Sequence, residues 1–319
     1  MQRTALVTGG AGFIGSHLVE RLVRENWRVR ILDDLSTGSL ENLKNVESQI
    51  DFTEGDVCNF DVCSKSCTGV FAVFHLAAIA SVQQSVEDPR ATHAVTLGGT
   101  VNLLEAARHK NVRRFVLSSS AAVYGNVEAV PTREDQNLNP QSPYATAKAA
   151  SEMYCRNFAE LYGIEAVVLR YFNIFGERQP ANSSYAAAIP KFIEAALMRR
   201  RPTVYGDGKQ TRDFVHVSNV VEANFLAATS AAVGGKTFNI GCGRQIDLLE
   251  LLDQIAAITG TQVAPNHVDQ RAGEVRHSRA DISNAVRSLG FHPSVSLEDG
   301  LRRTIASASS VTDGALYAA

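Results

Sequence analysis

Ser118-Ser119-Ser120 and the pair Tyr144 and Lys148 are residues whose types and spacing could do chemistry. The serines close a short apolar run, Phe115-Val116-Leu117, which reads as a buried parallel strand carrying hydroxyls to its carboxyl end. Tyr144 and Lys148 stand four apart at the head of a segment rich in helix formers that runs to Leu161, with Gly163 to stop it. That spacing puts both on one helix face. An ammonium beside a phenol favours the phenolate and is expected to draw its pKa from ~10 towards neutrality. A hydroxyl and an activated phenol together can hold and deprotonate an alcohol.

The elements that must position these groups begin at the amino terminus. Arg3 to Thr8 reads as an apolar strand, followed by Gly9, Gly12 and Gly15 and then an amphipathic helix to about Asn26. Glycine at every third position between strand and helix is a dinucleotide-binding turn. Gly9 permits the tight turn, Gly12 lets a pyrophosphate approach the backbone, and Gly15 lets the helix close on the sheet. The helix amino terminus offers amide donors and the positive end of its dipole. Val29 to Leu32 reads as a second strand ending in Asp33, whose carboxylate suits ribose hydroxyls and repels a 2′-phosphate, favouring NAD over NADP. The loop Leu35 to Gly38 could wrap the ribose and phosphate, and Asp56 is placed for the adenine rim. Val70 to Leu76 reads as a buried strand, Ala77 and Ala78 leave room for a cofactor, and a helix is expected from about Pro89 to His109. Alternating strands and helices predict an α/β fold, a Rossmann-type doubly wound parallel sheet of about seven strands with a smaller carboxyl-terminal lobe.

Composition narrows the class. The chain has 319 residues, 45% of them hydrophobic, enough for a full core, and a net charge of −2. It has no basic block to support binding to nucleic acid or a membrane surface. No apolar run approaches the ~18 residues of a membrane span, and no secretory signal is evident, so a cytoplasmic protein is expected. Cys58, Cys63, Cys67, Cys155 and Cys242 are odd in number and lack a CxxC pair, so free thiols and no metal site are expected.

The glycine turn, Asp33, Asp56-Val57, His75-Leu76-Ala77-Ala78, the serine strand, Tyr144 with Lys148, and Arg170-Tyr171-Phe172-Asn173 together resemble the extended short-chain dehydrogenase/reductase superfamily. Within it the chain is similar to the UDP-hexose 4-epimerases over roughly residues 3 to 305. The resemblance implies tightly held NAD against Gly9, Gly12, Phe13, Ile14, Asp33, Asp34, Ser36, Thr37, Gly38, Asp56, Val57, Leu76, Ala77, Ala78, Tyr144, Lys148 and Phe172. It implies that Tyr144 takes the sugar O4 proton as the C4 hydride leaves, that Ser120 holds O4, and that Lys148 holds the nicotinamide ribose. The 4-keto sugar then turns over and takes the hydride on its other face. For the nucleotide sugar it implies Ser81, Asn173, Gln179, Ala187, Ala188, Thr203 and Tyr205, with Arg212 and Arg271 on the diphosphate. Ser278, seven after Arg271, would face the sugar C2 substituent. A tyrosine there closes the site to acetamido sugars and a small residue admits them, so UDP-GlcNAc/UDP-GalNAc is expected together with UDP-glucose/UDP-galactose.

The chain departs from its relatives at Asp34 and Thr96, where asparagine is usual, and at Ala80, where some carry a cofactor-binding lysine. Sugar 4,6-dehydratases and nucleotide-sugar decarboxylases resemble each other in carrying Asp-Glu or Glu where this chain has Ser120-Ala121-Ala122, which disfavours both. A UDP-glucuronate 4-epimerase and a non-catalytic NAD sensor or scaffold remain as alternatives. The expected division gives residues 1–175 with a return segment about 209–240 to NAD, 176–208 and 241–307 to the nucleotide sugar, and 308–319 to a flexible tail. A homodimer through the helices near 90–109 and 144–162 is implied.

Overall fold

The computed structural model describes residues 2–127, 129–180, 187–262, 264–270 and 275–316. Strands β1 (Thr4–Thr8), β2 (Arg28–Asp33), β3 (Ile50–Glu54), β4 (Ala72–His75), β5 (Arg114–Ser120) and β6 (Glu165–Tyr171) join a later strand, Thr237–Ile240, in one parallel sheet. Four short strands lie between β6 and it: β7 (Asn173–Phe175), β8 (Thr203–Tyr205), β9 (Thr211–Arg212) and β10 (Phe214–His216). With Thr237–Ile240 as β11, the sheet order is β3-β2-β1-β4-β5-β6-β11. Strand order reverses between β1 and β4, which opens a crevice at the carboxyl ends of the strands. The seven parallel strands bear out the doubly wound expectation.

Each strand buries both faces. Ala5, Val7, Ile31, Phe74 and Val116 pack towards the helices Phe13–Arg24 and Val217–Thr229. Leu6, Val73, Phe115 and Leu117 pack on the opposite side with Leu103, Leu104 and Phe158. That alternation explains why the strands read as unbroken apolar runs. A separate cluster of Phe175, Phe192, Val204, Leu251, Ile255 and Leu301 forms a second core under the later segments.

The helix Pro143–Tyr162 is defined at both ends by its sequence. Ser142 accepts from the Ala145 amide at 3.2 Å, Pro143 takes the first helical position, and Gly163 closes the helix in the left-handed conformation at φ 73°.

Some elements differ from expectation. The strand read as Arg170 to Phe175 divides at Phe172, whose amide bonds the Ile240 carbonyl at 2.9 Å, and β7 leaves to pair with β10. The strand read from Val70 is confined to Ala72–His75. The helix from Pro89 to His109 is continuous but passes through a π-helical stretch at His93–Gly98. There the Thr96 hydroxyl accepts from the Ile79 amide at 3.3 Å, while its carbonyl takes the Thr100 hydroxyl at 2.6 Å and the Ser151 hydroxyl at 3.3 Å. Side-chain bonds thus replace part of the regular ladder. The last helix spans Leu297–Leu316, so the stretch after Ser307 begins as helix.

His75 joins the sheet to the crevice. Its ring bonds the Thr8 hydroxyl at 2.8 Å and the Thr100 hydroxyl at 3.0 Å. Complete burial, with the charge of Lys148 nearby, pushes its pKa down to about 3. The unfolded chain binds this proton near pH 6.5, and the folded chain refuses it until about pH 3. Stability is therefore expected to fall as pH drops through that window, by at most about 5 kcal/mol. Urea titrations at several pH values should show a shallower acid slope for His75→Gln than for the parent chain.

Candidate active site

The phosphate end of the crevice is built from backbone. Gly9 sits at φ 67°, and a side-chain carbon there would lie 2.8 Å from the Ala77 amide nitrogen. At Gly15 such a carbon would come within 2.0 Å of the Gly9 carbonyl, so the helix touches the turn directly. The helix Phe13–Arg24 starts after Gly12 with no side-chain cap, leaving first-turn amides for an anion, with Phe13 and Ile14 half-buried beside them. Asp33, 6% exposed at the end of β2, accepts from the Ala11 amide at 2.8 Å and the Leu35 amide at 2.9 Å. Burial raises its pKa, against the pull of those two amides. Gly38 lets the following loop fold back, since a side-chain carbon there would stand 3.0 Å from both Ala11 and the Asp33 carboxylate. These features fit a dinucleotide.

The remaining cofactor positions surround this cradle unevenly. Leu76 and Ala77 bond the Thr8 carbonyl and hydroxyl at 3.2 and 3.3 Å, with Ala78 half-buried next to them. Val57 is buried, whereas Asp56 is exposed and accepts from the Cys58 amide at 2.8 Å. Asp34 turns its carboxylate into its own loop, accepting from the Ser36 amide at 3.0 Å and the Ser36 hydroxyl at 2.6 Å. The extra charge is thus engaged locally, while Thr37 is exposed. Cys63, Cys67 and Cys155 are buried, and burial pushes the Cys58 and Cys63 thiols up to about 11 and about 12. All five cysteines are free, and no cluster of metal-ligating residues occurs among the described residues.

At the chemical end, Tyr144 and Lys148 are 9% and 4% exposed and face the end of β5. Lys148 Nζ donates to the Ser118 carbonyl at 2.6 Å and lies 5.9 Å from the centre of the Tyr144 ring. Ser120 lies near the Tyr144 hydroxyl at the end of β5, and its oxygen accepts from the Ala122 amide at 3.1 Å. Burial pushes the Tyr144 phenol up, against the Ser120 hydrogen bond. The expected drop towards neutrality is corrected here: the ammonium is engaged by a carbonyl, and desolvation of the phenolate outweighs its influence. Burial likewise lowers Lys148 to about 8. Phe172, 6% exposed, packs with Val123 and Ala149 beside this site.

The positions expected to touch substrate lie on several segments. Asn173 bonds the Asp213 carbonyl through its amide nitrogen at 3.1 Å and its Nδ2 at 3.3 Å. Gln179 donates to the Ile174 carbonyl at 3.1 Å, and its Oε1 is buried with no partner among the described residues. Ser81 caps the helix Val82–Glu87. Thr203 and Tyr205 bound β8, while Ala187 precedes the helix starting at Ala188. Arg212 donates to the Thr211 carbonyl at 2.9 Å, and the Ser278 amide bonds that same carbonyl at 3.1 Å, so Ser278 stands beside the arginine. Arg271 lies outside the described residues.

The family model for the NAD dependent epimerase/dehydratase family matches residues 5–241. The chain belongs to that family. A UDP-glucose 4-epimerase of Mycolicibacterium smegmatis is 41% identical over 309 residues, covering 94% of this chain and 96% of the relative. The UDP-N-acetylglucosamine 4-epimerase of Methanobrevibacter ruminantium, solved with UDP-N-acetylmuramic acid, superposes with a TM-score of 0.93 at 39% identity, covering 97% of this chain and 99% of the other. A UDP-glucuronic acid 4-epimerase of Bacillus cereus, solved with UDP-glucuronic acid and NAD, has a TM-score of 0.90 at 31% identity, again covering 97% and 99%.

Within this epimerase/dehydratase chain, two positioning groups escaped sequence reasoning. Asp213, fully buried, accepts from the amides of Cys242 at 2.8 Å, Gly243 at 2.9 Å and Ala280 at 3.0 Å. It fastens the ends of three segments around Arg212 and Ser278. Burial raises it to about 6 despite those amides. Arg178, in the left-handed region at φ 65°, bonds Ser16 and Glu20 of the helix Phe13–Arg24. Both were visible only as polar residues beside named motifs, and their partners are far away in sequence.

Replacing Tyr144 with Phe is expected to lower kcat by about 10²- to 10⁴-fold with NAD content retained. Replacing Lys148 with Met should lower both kcat and NAD content. Steady-state assays with cofactor release and absorbance measure both quantities.

Proposed function

We propose that the chain is a UDP-sugar 4-epimerase that interconverts UDP-GlcNAc with UDP-GalNAc and UDP-glucose with UDP-galactose. The observation that carries the reading is Ser120 brought near Tyr144, with the Lys148 ammonium one turn along the same helix on the Ser118 carbonyl, at the mouth of a dinucleotide crevice. Ala121 and Ala122 supply no carboxyl group next to the sugar, so an elimination would lack its acid and base. Tyr144 takes the O4 proton, Ser120 holds O4, and Lys148 steadies the charge that develops on the phenol. NAD, which the glycine turn, Asp33 and Lys148 would hold, would supply the hydride acceptor. The nucleotide handle is retained by Arg212 and Arg271, leaving the keto sugar free to present its other face before proton and hydride return.

Ser278 supports the wider substrate range. It is half-buried beside Arg212 and carries no bulk to exclude a 2-acetamido group. The free thiols support a reducing, cytoplasmic setting, and no helix among the described residues is long and apolar enough to cross a membrane.

We also read the protein as a homodimer. Leu161 is 72% exposed on the helix Pro143–Tyr162, with Met153 and Tyr154 also exposed there, and Val82 and Val86 are exposed on the helix Val82–Glu87, which lies just before the expected 90–109 helix and not within it. A second copy covering this face would remove apolar surface from water.

Incubation with UDP-GlcNAc, UDP-glucose and UDP-glucuronate, products resolved by NMR, should show conversion of the first two. Turnover of UDP-glucuronate alone, or of none with NAD still bound, would sink the reading. Ser278→Tyr should cut kcat/KM for UDP-GlcNAc relative to UDP-glucose by about 10- to 200-fold. Sedimentation should give a dimer for the parent chain and a monomer for Val86→Glu/Leu161→Glu.

A further inference from the structure

The helix Pro143–Tyr162 places not two but three chemical side chains on one buried stripe: Tyr144, Lys148 and Glu152, at successive intervals of four. The strand opposite ends in three serines, and the contacts pair off. Ser120 lies near Tyr144, the Ser118 carbonyl takes Lys148 Nζ at 2.6 Å, and the Ser119 hydroxyl donates to Glu152 Oε1. Glu152 is 6% exposed and has no part in the proton transfer described above.

Its surroundings are built to hold a carboxylate. Arg170, which faces Ser119 in the register of β5 and β6, directs Nε to Oε1 at 3.0 Å and Oε2 at 3.1 Å, and Nη2 to Oε2 at 2.6 Å. The guanidinium is fixed in turn by the Tyr124 hydroxyl at 2.8 Å and the Glu134 carbonyl at 3.2 Å, and Tyr124 donates to Asn239 Oδ1 at 2.7 Å. A buried ion pair is tolerated when its remaining polar atoms are satisfied in this way.

We infer that Glu152 is a positioning residue that holds the Lys148 ammonium charged on the Ser118 carbonyl and thereby sets the alkaline limit of activity. The inference rests on the assignment of Tyr144 and Lys148 as the base pair. Burial favours the neutral amine, and the Glu152 carboxylate is the largest influence opposing it. The other groups facing Lys148 do not replace it. Cys155 on the same helix is a thiol pushed further towards its neutral form by burial, and His75 on β4 is neutral. Tyr144 contributes its ring, 5.9 Å away. Arg170 sits on the far strand and bonds the carboxylate itself.

The test uses NAD-loaded enzyme and follows kcat and KM for a UDP-sugar from about pH 6 to about pH 11. Glu152→Gln alone would strand the Arg170 guanidinium, so the informative variant is Glu152→Gln/Arg170→Gln, in which both charges leave together. The alkaline half-point of kcat is expected to fall by less than about 1 pH unit in the double variant, because loss of the guanidinium partly offsets loss of the nearer carboxylate, with KM near the parent value. Glu152→Asp keeps the charge but draws it back, and should move the half-point less, in the same direction. A purely structural role would lower thermal stability and leave the half-point in place. Coincident alkaline limbs in the parent and a folded double variant overturn the inference. If the double variant does not fold, an unmoved limb in Glu152→Asp overturns it instead. Retention of the parent profile by Lys148→Met would instead overturn the base-pair assignment.

Discussion

An ammonium buried to 4% exposure can stay charged only if the protein replaces the water it has lost, and at Lys148 the Ser118 carbonyl does so. That one contact fixes the register between the helix Pro143–Tyr162 and the end of β5, and with it where Ser120 and Tyr144 meet. A slip of the strand by one residue would turn its side chains to the opposite face and part these pairs. Three serines in a row are explained by this geometry: the first uses its backbone, the second anchors Glu152, and the third lies by Tyr144. The Ser118 side chain points the other way, bonding the Tyr171 hydroxyl at 3.0 Å and so tying β5 to β6.

The cofactor end obeys a different constraint, which is proximity of backbone to backbone. Gly15 and Gly9 nearly touch, and Thr8 bonds both His75 and the Ala77 amide. A turn held this closely presents amides in one direction without moving, which is the preorganisation that binding a diphosphate needs. His75 links the two ends, because it lies between Thr8 under the glycine turn and Thr100 on the helix packed against Ser151.

How much was legible in the sequence follows from how local each cause is. The glycine turn, Asp33, the alternating core strands and the capped helix with Tyr144 and Lys148 are set by residues within a few positions of one another, and the chain declares them. The break at Phe172 was not visible, since it comes from a bond to Ile240 on a strand that is distant in sequence. The state of Tyr144 was misread for a related reason: spacing on a helix shows that a lysine is near, but not that a carbonyl on another strand engages it. Glu152 sat in plain view at the next helical interval, and only its burial distinguishes it from an ordinary solvated glutamate.

The substrate half depends on long-range ties of the same kind. Asp213 gathers the amides of Cys242, Gly243 and Ala280 while its carbonyl holds Asn173, so the residues read as touching phosphate and sugar are mounted on one buried carboxylate. Arg178 performs the matching task on the other side, joining the segment after β7 to Ser16 and Glu20 of the helix Phe13–Arg24. Glu177 next to it is lowered to about 2, against the effect of burial, by the His216 ring 3.1 Å away, with His17 bonding its carbonyl at 3.0 Å. A reaction in which a sugar must rotate while its nucleotide stays in place needs a rigid frame around a loose centre. These ties stiffen the frame from outside the crevice, and the small side chains of Ala121, Ala122 and Ser278 leave the centre open.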